Sequence, residues 1–300
     1  MKVANLEIAR HWVGGGTDND SPLPWERLKA FFPDNEFSRQ DIGDLVSQPD
    51  RIYIGDEFCP KRLPDVKALK NQLNAADQKG LPVTLLTPVL TDGGIKACAK
   101  LFETFHQWDH AAEVVVNDLG VLLCLKQTFP GFSLSMGRLF NKGFKDPRLD
   151  QKDITPAAAA ACLNHCSFQQ ANMKSLAKNF GIQRVEQDLF PHADLDAQAL
   201  AMSDSDLKFS IYFPFGYVTT GRACMTAGMD GRSEARFNFS SGCHTPCATH
   251  RFKLNHPENG PALLQNGNTI FYPYTASMLG FLFKTAETHG LRLVWQGGLA

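Results

Sequence analysis

Short apolar runs alternate with helix-period segments along most of the chain, and this rhythm restricts the fold more than any other feature of the sequence. Candidate strands are VANLEIA near residue 5, RIYIG (51–55), VTLLTPV (83–89), EVVV (113–116), FSLSM (132–136), IQRVE (182–186), FSIYFPF (209–215), TIFYPY (269–274) and LRLVW (291–295). Between them lie segments with an apolar face at helical spacing: 64–80, 93–108, 119–129, 156–181 and 275–290. The last two end in Gly181 and Gly290, placed to cap a helix. Strand and helix in alternation is the pattern of a parallel sheet. About eight such strands predict a TIM-barrel-like (β/α) barrel, complete or incomplete, with a doubly wound open sheet as the alternative. No GxGxxG follows an early strand, so the open sheet lacks the dinucleotide signature.

Residues 216–268 break the rhythm. They carry three cysteines and many Gly, Ser, Thr and Asn residues with little periodicity, the composition of a functional insertion. The predicted organisation is therefore a barrel core over 1–215, a cysteine-containing insertion over 216–268, and final barrel strands and helix over 269–300.

Composition narrows the function classes. The 300 residues are 43% apolar, enough for a large core, and 30 Lys+Arg nearly balance 31 Asp+Glu. That balance favours neither a nucleic-acid nor a membrane-surface partner. The most basic loop, KGFKDPRLDQK at 142–152, is diluted by Asp146 and Asp150. The N-terminal apolar stretch is too short for a signal peptide. No stretch reaches the roughly 20 apolar residues of a membrane span. The chain is expected to be soluble and cytoplasmic, where eight cysteines read as metal ligands or core thiols rather than a disulfide framework.

Several strands run into polar residues: Asp56 and Glu57, Thr91 and Asp92, Asn117 and Asp118, Gly137 and Arg138, Glu186 and Asp188. In a parallel barrel these carboxyl ends share the face on which active sites are built. Loop polarity alone explains any single one of them.

The cysteines divide into two sets. Cys59 lies in GDEFCPKR just past a strand, Cys224 in GRACMTAG, and Cys243 and Cys247 in SGCHTPCATH. Four thiolates suit a zinc ion or an iron–sulfur cluster; from the residues alone, zinc, cluster and unrelated thiols stay open. Cys98, Cys124, Cys162 and Cys166 fall in apolar helical patterns and read as core thiols.

GDEFCPKR, NDLGVL at 117–122, TGRAC and the paired Cys243 and Cys247, in that order, resemble the collagenase-like (U-thirty-two) peptidase family, and within it the branch typified by UbiU and UbiV. The resemblance implies a barrel-like fold and a [4Fe–4S] cluster on Cys59, Cys224, Cys243 and Cys247. It further implies oxygen-independent hydroxylation, as in ubiquinone synthesis, on a small-molecule or lipid-quinone precursor, with a UbiU-like partner subunit in a heterodimer. Other members modify RNA bases. The sequence departs from this branch around 182–200, in the longer gap between Cys224 and Cys243, and over 11–37.

Under that reading Asp56, Asn117, Asp118, Arg138 and Glu186 bind substrate or move protons, and Arg138 with Arg222 could grip a carboxylate donor. Two rivals stand beside it. A peptidase lacks both GxSxG and HExxH here, and the adjoining Cys243 and His244 are not the usual nucleophile–base arrangement. A metal that only staples the insertion would need no catalytic residues.

Overall fold

The computed structural model describes residues 6–12, 39–148, 166–192, 195–203, 205–229, 243–255 and 260–296. Eight strands form a closed barrel: β1 (Glu7–Trp12), β2 (Arg51–Gly55), β3 (Val83–Leu86), β4 (Glu113–Val116), β5 (Ser133–Met136), β6 (Arg184–Gln187), β7 (Lys208–Phe213) and, after an excursion, β12 (Arg292–Trp295). Every neighbouring pair is parallel, and β1 pairs with both β2 and β12, so the sheet closes and the open-sheet alternative is excluded. This is the TIM-barrel-like architecture expected from the strand–helix alternation.

The described helices are α1 (Arg39–Ser47), α2 (Val66–Gln78), α3 (Asp92–Trp108), α4 (Leu119–Thr128), α5 (Ala171–Phe180), α6 (Leu195–Ser203) and α7 (Ala276–His289). Their ends follow capping chemistry. Asp65, Thr91, Asp118 and Thr275 each accept a backbone N–H of the first turn. Gly181 and Gly290 cap α5 and α7 in the left-handed conformation, as their positions predict. The segment expected to be one helix over 156–181 is helical from Ala171; a 3₁₀ turn at Ser167–Gln169 precedes it, and residues 151–165 lie outside the described part. Among the described residues no helix is long and apolar enough to cross a membrane.

The excursion between β7 and β12 is a four-stranded antiparallel sheet in the order β8 (Phe215–Thr220), β11 (Thr269–Pro273), β10 (Leu263–Asn266), β9 (Phe252–Leu254). Two boundaries differ from the sequence reading. FSIYFPF, read as one strand, divides at Pro214: β7 ends in the barrel and β8 begins the small sheet. Proline has no N–H to continue a ladder. TIFYPY, read as a barrel strand, instead forms β11, paired with β8 and β10. An apolar run does not reveal which sheet it joins. Its preceding Asn266-Gly267-Asn268 does mark a hairpin, with Gly267 at φ +63°.

A large apolar core lies between strands and helices. A second, small cluster of Ala9, Tyr53, Leu86, Val115, Tyr212 and Val294 comes from six different strands and fills the lumen. Side chains alternate along a strand, so residues two steps away face the lumen too. At the amino end these are charged: Arg292 reaches Glu7 at 2.8 Å and Glu113 at 2.6 Å, and Arg51 reaches Glu7 at 2.8 Å.

Candidate functional site at the carboxyl end of the barrel

The loop after β2 is built by Asp56. One carboxylate oxygen accepts the backbone N–H groups of Phe58 and Cys59, both at 2.8 Å. The other lies 3.1 Å from Arg62 Nε. Arg62 also donates to Asn266 Oδ1 at 2.8 Å, tying this loop to the small sheet. Cys59 stands at the start of a 3₁₀ turn, Pro60–Arg62.

The other three thiols arrive on similar short turns. Cys224 precedes the 3₁₀ turn Met225–Gly228, its Sγ 3.2 Å from Thr226 Oγ1. Cys247 lies inside the 3₁₀ turn Pro246–Ala248, and the Sγ of Cys243 accepts the N–H of Thr245 at 3.4 Å. Three of the sulfurs, those of Cys59, Cys224 and Cys247, act on Arg62, and Cys243 acts on Cys247. Burial opposes the charge of Arg62, but Asp56, Cys247, Cys59 and Cys224 more than offset burial and its pKa rises. Burial, then Asp56, push the Cys59 thiol up to about 12, with Cys247 adding to the shift. Burial likewise raises Cys247, with Cys224 and Cys243 both adding. Cys59 and Cys247 therefore hold their protons until a cation displaces them.

Among the described residues no group of three or more His, Cys, Asp or Glu side chains has the geometry to hold a metal ion. Sulfurs sharing one zinc ion stand about 3.8 Å apart, from bonds of about 2.3 Å. Sulfurs on a four-iron cluster stand further apart, because each binds a different iron. A set of four thiols would suit either a zinc ion or an iron–sulfur cluster.

Beneath this loop the lumen holds a buried charge network. Arg138 grips Glu57 through Nε and Nη2, and its Nη1 meets Asp188 Oδ1 at 2.8 Å. Lys145 Nζ meets the other Asp188 oxygen at 3.0 Å. The Arg138 guanidinium lies 3.7 Å above the Tyr212 ring, and Lys145 lies 3.8 Å above Tyr217. Glu186 sits one layer lower, between the hydroxyls of Tyr53, at 2.7 Å, and Tyr212. Burial, then the charge of Glu57, raise its pKa to about 8. Burial lowers that of Lys145 despite Asp188. The network thus sets two basic side chains, Arg138 and Lys145, against the carboxyls of Glu57 and Asp188.

The small sheet covers this network. Tyr217 OH donates to the carbonyl of Arg138 at 3.0 Å, Asn268 Nδ2 donates to that of Phe58 at 2.9 Å, and Leu189 N–H donates to Tyr274 OH at 2.9 Å. Phe58 packs on Tyr217 and Phe271, with ring centres 5.3 and 5.7 Å apart.

The residues predicted from strand ends thus occupy one end of the barrel but perform different tasks. Asn117 clamps loops, donating to Thr87 O at 2.9 Å and accepting from Leu139 N at 3.1 Å. Asp118 caps α4 through Val121 N–H and accepts Leu90 N–H. Arg138, expected to grip a carboxylate donor with Arg222, grips Glu57 and Asp188 of its own chain, while Arg222 is exposed. Cys98, Cys124 and Cys166 are half-buried rather than fully buried, and Cys166 Sγ lies 3.2 Å from Gln187 Oε1; Cys162 falls outside the described residues. Sequence reasoning passed over Arg62, Lys145, Tyr53 and Tyr212. The tyrosines were legible only as apolar strand residues, since nothing local says that a hydroxyl points into the lumen.

No model of a known protein family matches the chain, and no curated protein matches it in sequence. Among solved structures it is similar to the U32 peptidase Mk0906, with a TM-score of 0.42 and 9% identity over 99% of this chain and 95% of that one. It is also similar to a class V chitinase from Pseudomonas fluorescens Pf-5, with a TM-score of 0.27 and 11% identity over 98% of this chain and 95% of that one. These are likenesses of chain path; the barrel stands on its own strand register.

Proposed function

We propose that this chain is an iron–sulfur protein that holds a [4Fe–4S] cluster on Cys59, Cys224, Cys243 and Cys247 and serves an oxygen-independent redox reaction. The observation that carries the reading is that Cys59, Cys224 and Cys247 all act on the guanidinium of Arg62, while Cys243 acts on Cys247. The sequence resemblance favours a cluster over a single zinc ion, and the thiols perturb one another electrostatically. Arg62 supplies a fixed positive charge beside a centre whose four thiolates are negative.

When bound, such a cluster supplies one-electron transfer. Four cysteine ligands would occupy every iron, which favours electron transfer or structural support over direct substrate ligation. The chain's own residues then have defined tasks. Asp56 fixes the backbone at Cys59, Arg62 balances charge, and Phe58, next to Cys59, packs on Tyr217 and Phe271 beside Arg138. A hydroxylation on a lipid-quinone precursor, performed with a partner subunit, is the finer form of this proposal and rests on the sequence resemblance.

Anaerobic purification with iron and sulfide quantification and an absorption spectrum tests the reading. Cys224→Ala is expected to lose iron and the chromophore, and Cys98→Ala to keep both. Colourless protein containing zinc, or equal iron in both variants, refutes it.

A further inference from the structure

At the carboxyl end of the lumen, on the edge formed by β1 and β12, two buried acceptors have no partner. Ala9 and Val294 belong to the lumen layer, so His11 and Gln296, two residues further along each strand, face the same interior. The last pair of β1 and β12 is Arg10 opposite Trp295, and Gln296 N–H donates to Phe213 O of β7 at 2.8 Å. One step beyond that pair, His11 and Gln296 lie on adjacent strands, about 4.8 Å apart if the register holds for one more residue.

His11 is 8% exposed and Gln296 2%. His11 Nε2 lies 2.8 Å from the carbonyl oxygen of Gly55, so that nitrogen carries the proton and Nδ1 presents a lone pair. Among the described residues, neither His11 Nδ1 nor Gln296 Oε1 has a hydrogen-bond partner. Buried polar atoms are overwhelmingly paired, because each unpaired one is costly. Two on adjacent strands, facing one way at the active end of a barrel, form a feature that stability alone does not explain. Burial also holds the imidazole neutral, with a pKa lowered to about 4.

We infer that His11 and Gln296 are the acceptor end of a small-molecule site in the barrel mouth, one that takes a neutral group with two N–H donors, of the primary carboxamide type. Two acceptors side by side match two hydrogens on one planar nitrogen. Asp56 favours a positive charge at His11 while Arg62 and Arg138 oppose one, so the setting gives a cationic amine or guanidine no clear advantage over a neutral donor. An anion brings no donors. In any reaction at this site, His11 positions the ligand through Nδ1 while Gly55 fixes its ring. The site involves no thiol and stands whether or not a cluster is bound.

The test uses the full chain labelled with ¹⁵N-histidine and benzamide as the probe, with N,N-dimethylbenzamide as its donorless control. Without a probe, His11 Nδ1 should show the shift of an unprotonated, unbonded imidazole nitrogen. Benzamide should move it saturably toward the hydrogen-bonded value, and the dimethyl analogue should not. Gln296→Met, nearly isosteric, should weaken benzamide binding at least tenfold while leaving Tm unchanged or higher, since it removes a buried unpaired oxygen. Three results overturn the inference: a hydrogen-bonded Nδ1 shift before any probe is added, as a resident water would give; equal or absent responses to the two amides; or a Gln296→Met protein with a lowered Tm. Because no readout involves iron, failure here is distinguishable from failure of the thiol centre.

Discussion

The carboxylate of Asp56 accepts the backbone N–H of Cys59 at 2.8 Å, so an acidic residue at a strand end sets where a thiol stands. The same side chain is ion-paired to Arg62, and both partners are nearly buried. Asp56→Ala removes the turn and leaves a buried guanidinium without its carboxylate. The expected loss of stability is about 3 kcal/mol, with Asp56→Asn intermediate because it retains an acceptor for the turn. Urea denaturation ranks the three proteins, and a Cys59 thiol that alkylates faster in the alanine variant reports the loosened loop.

Arg138 neutralises two buried carboxylates, Glu57 and Asp188, whereas Lys145 shares only Asp188. Arg138→Met therefore strands more charge than Lys145→Met. The arginine variant should lose about 4 kcal/mol and the lysine variant clearly less. Equal losses in denaturant titrations would show that the network is not organised around the arginine.

Glu186 titrates near 8 in the folded barrel, against an ordinary value of 4.5. Between these values the folded protein holds a proton that the unfolded chain releases, so raising the pH through this window lowers stability. The contribution is full below about pH 4.5 and gone above about pH 8, falling by about 1.4 kcal/mol per pH unit between them. Glu186→Gln cannot titrate. Its stability relative to the native chain should rise steadily from pH 5 to pH 8, and a constant difference across that range would contradict a protonated Glu186.

A Cβ added at Gly137 would stand 2.3 Å from Asn117 Oδ1. Gly137→Ala is expected to cost about 2 kcal/mol through this clash, since its backbone at φ −80° suits any residue. In an Asn117→Ala background the same change should cost much less. A double-mutant cycle measures that coupling, and simple additivity would mean that the two loops do not meet as described.

Much of the barrel was legible because its signals are local. RIYIG and EVVV are strands over the predicted residues, and Gly181 and Gly290 end their helices where expected. The clustering of strand-end polar residues was legible too, as a consequence of parallel strands sharing one face. Their roles were not. Asp118 is equally good as a catalytic acid or a helix cap until the positions of Val121 and Leu90 are known. Arg138 reads as a substrate clamp unless Asp188, fifty residues away, is seen to occupy it. His11 and Gln296 carry no sequence signal, since what distinguishes them is the absence of a partner. The fate of TIFYPY turned on tertiary pairing, with Asn266-Gly267 as the overlooked local hint.

The small sheet enters the chain between the seventh and eighth barrel strands, and β12 alone joins β7 to β1. On the ribosome, all four thiols are therefore synthesised before the stave that shuts the cylinder. Until β12 docks, β1 and β7 present bare edges and the lumen's acids and bases stand open to water. Shutting the cylinder and burying those charges become a single late event, and a nascent chain halted short of Arg292 should be captured by chaperones in a form that a few more residues would release.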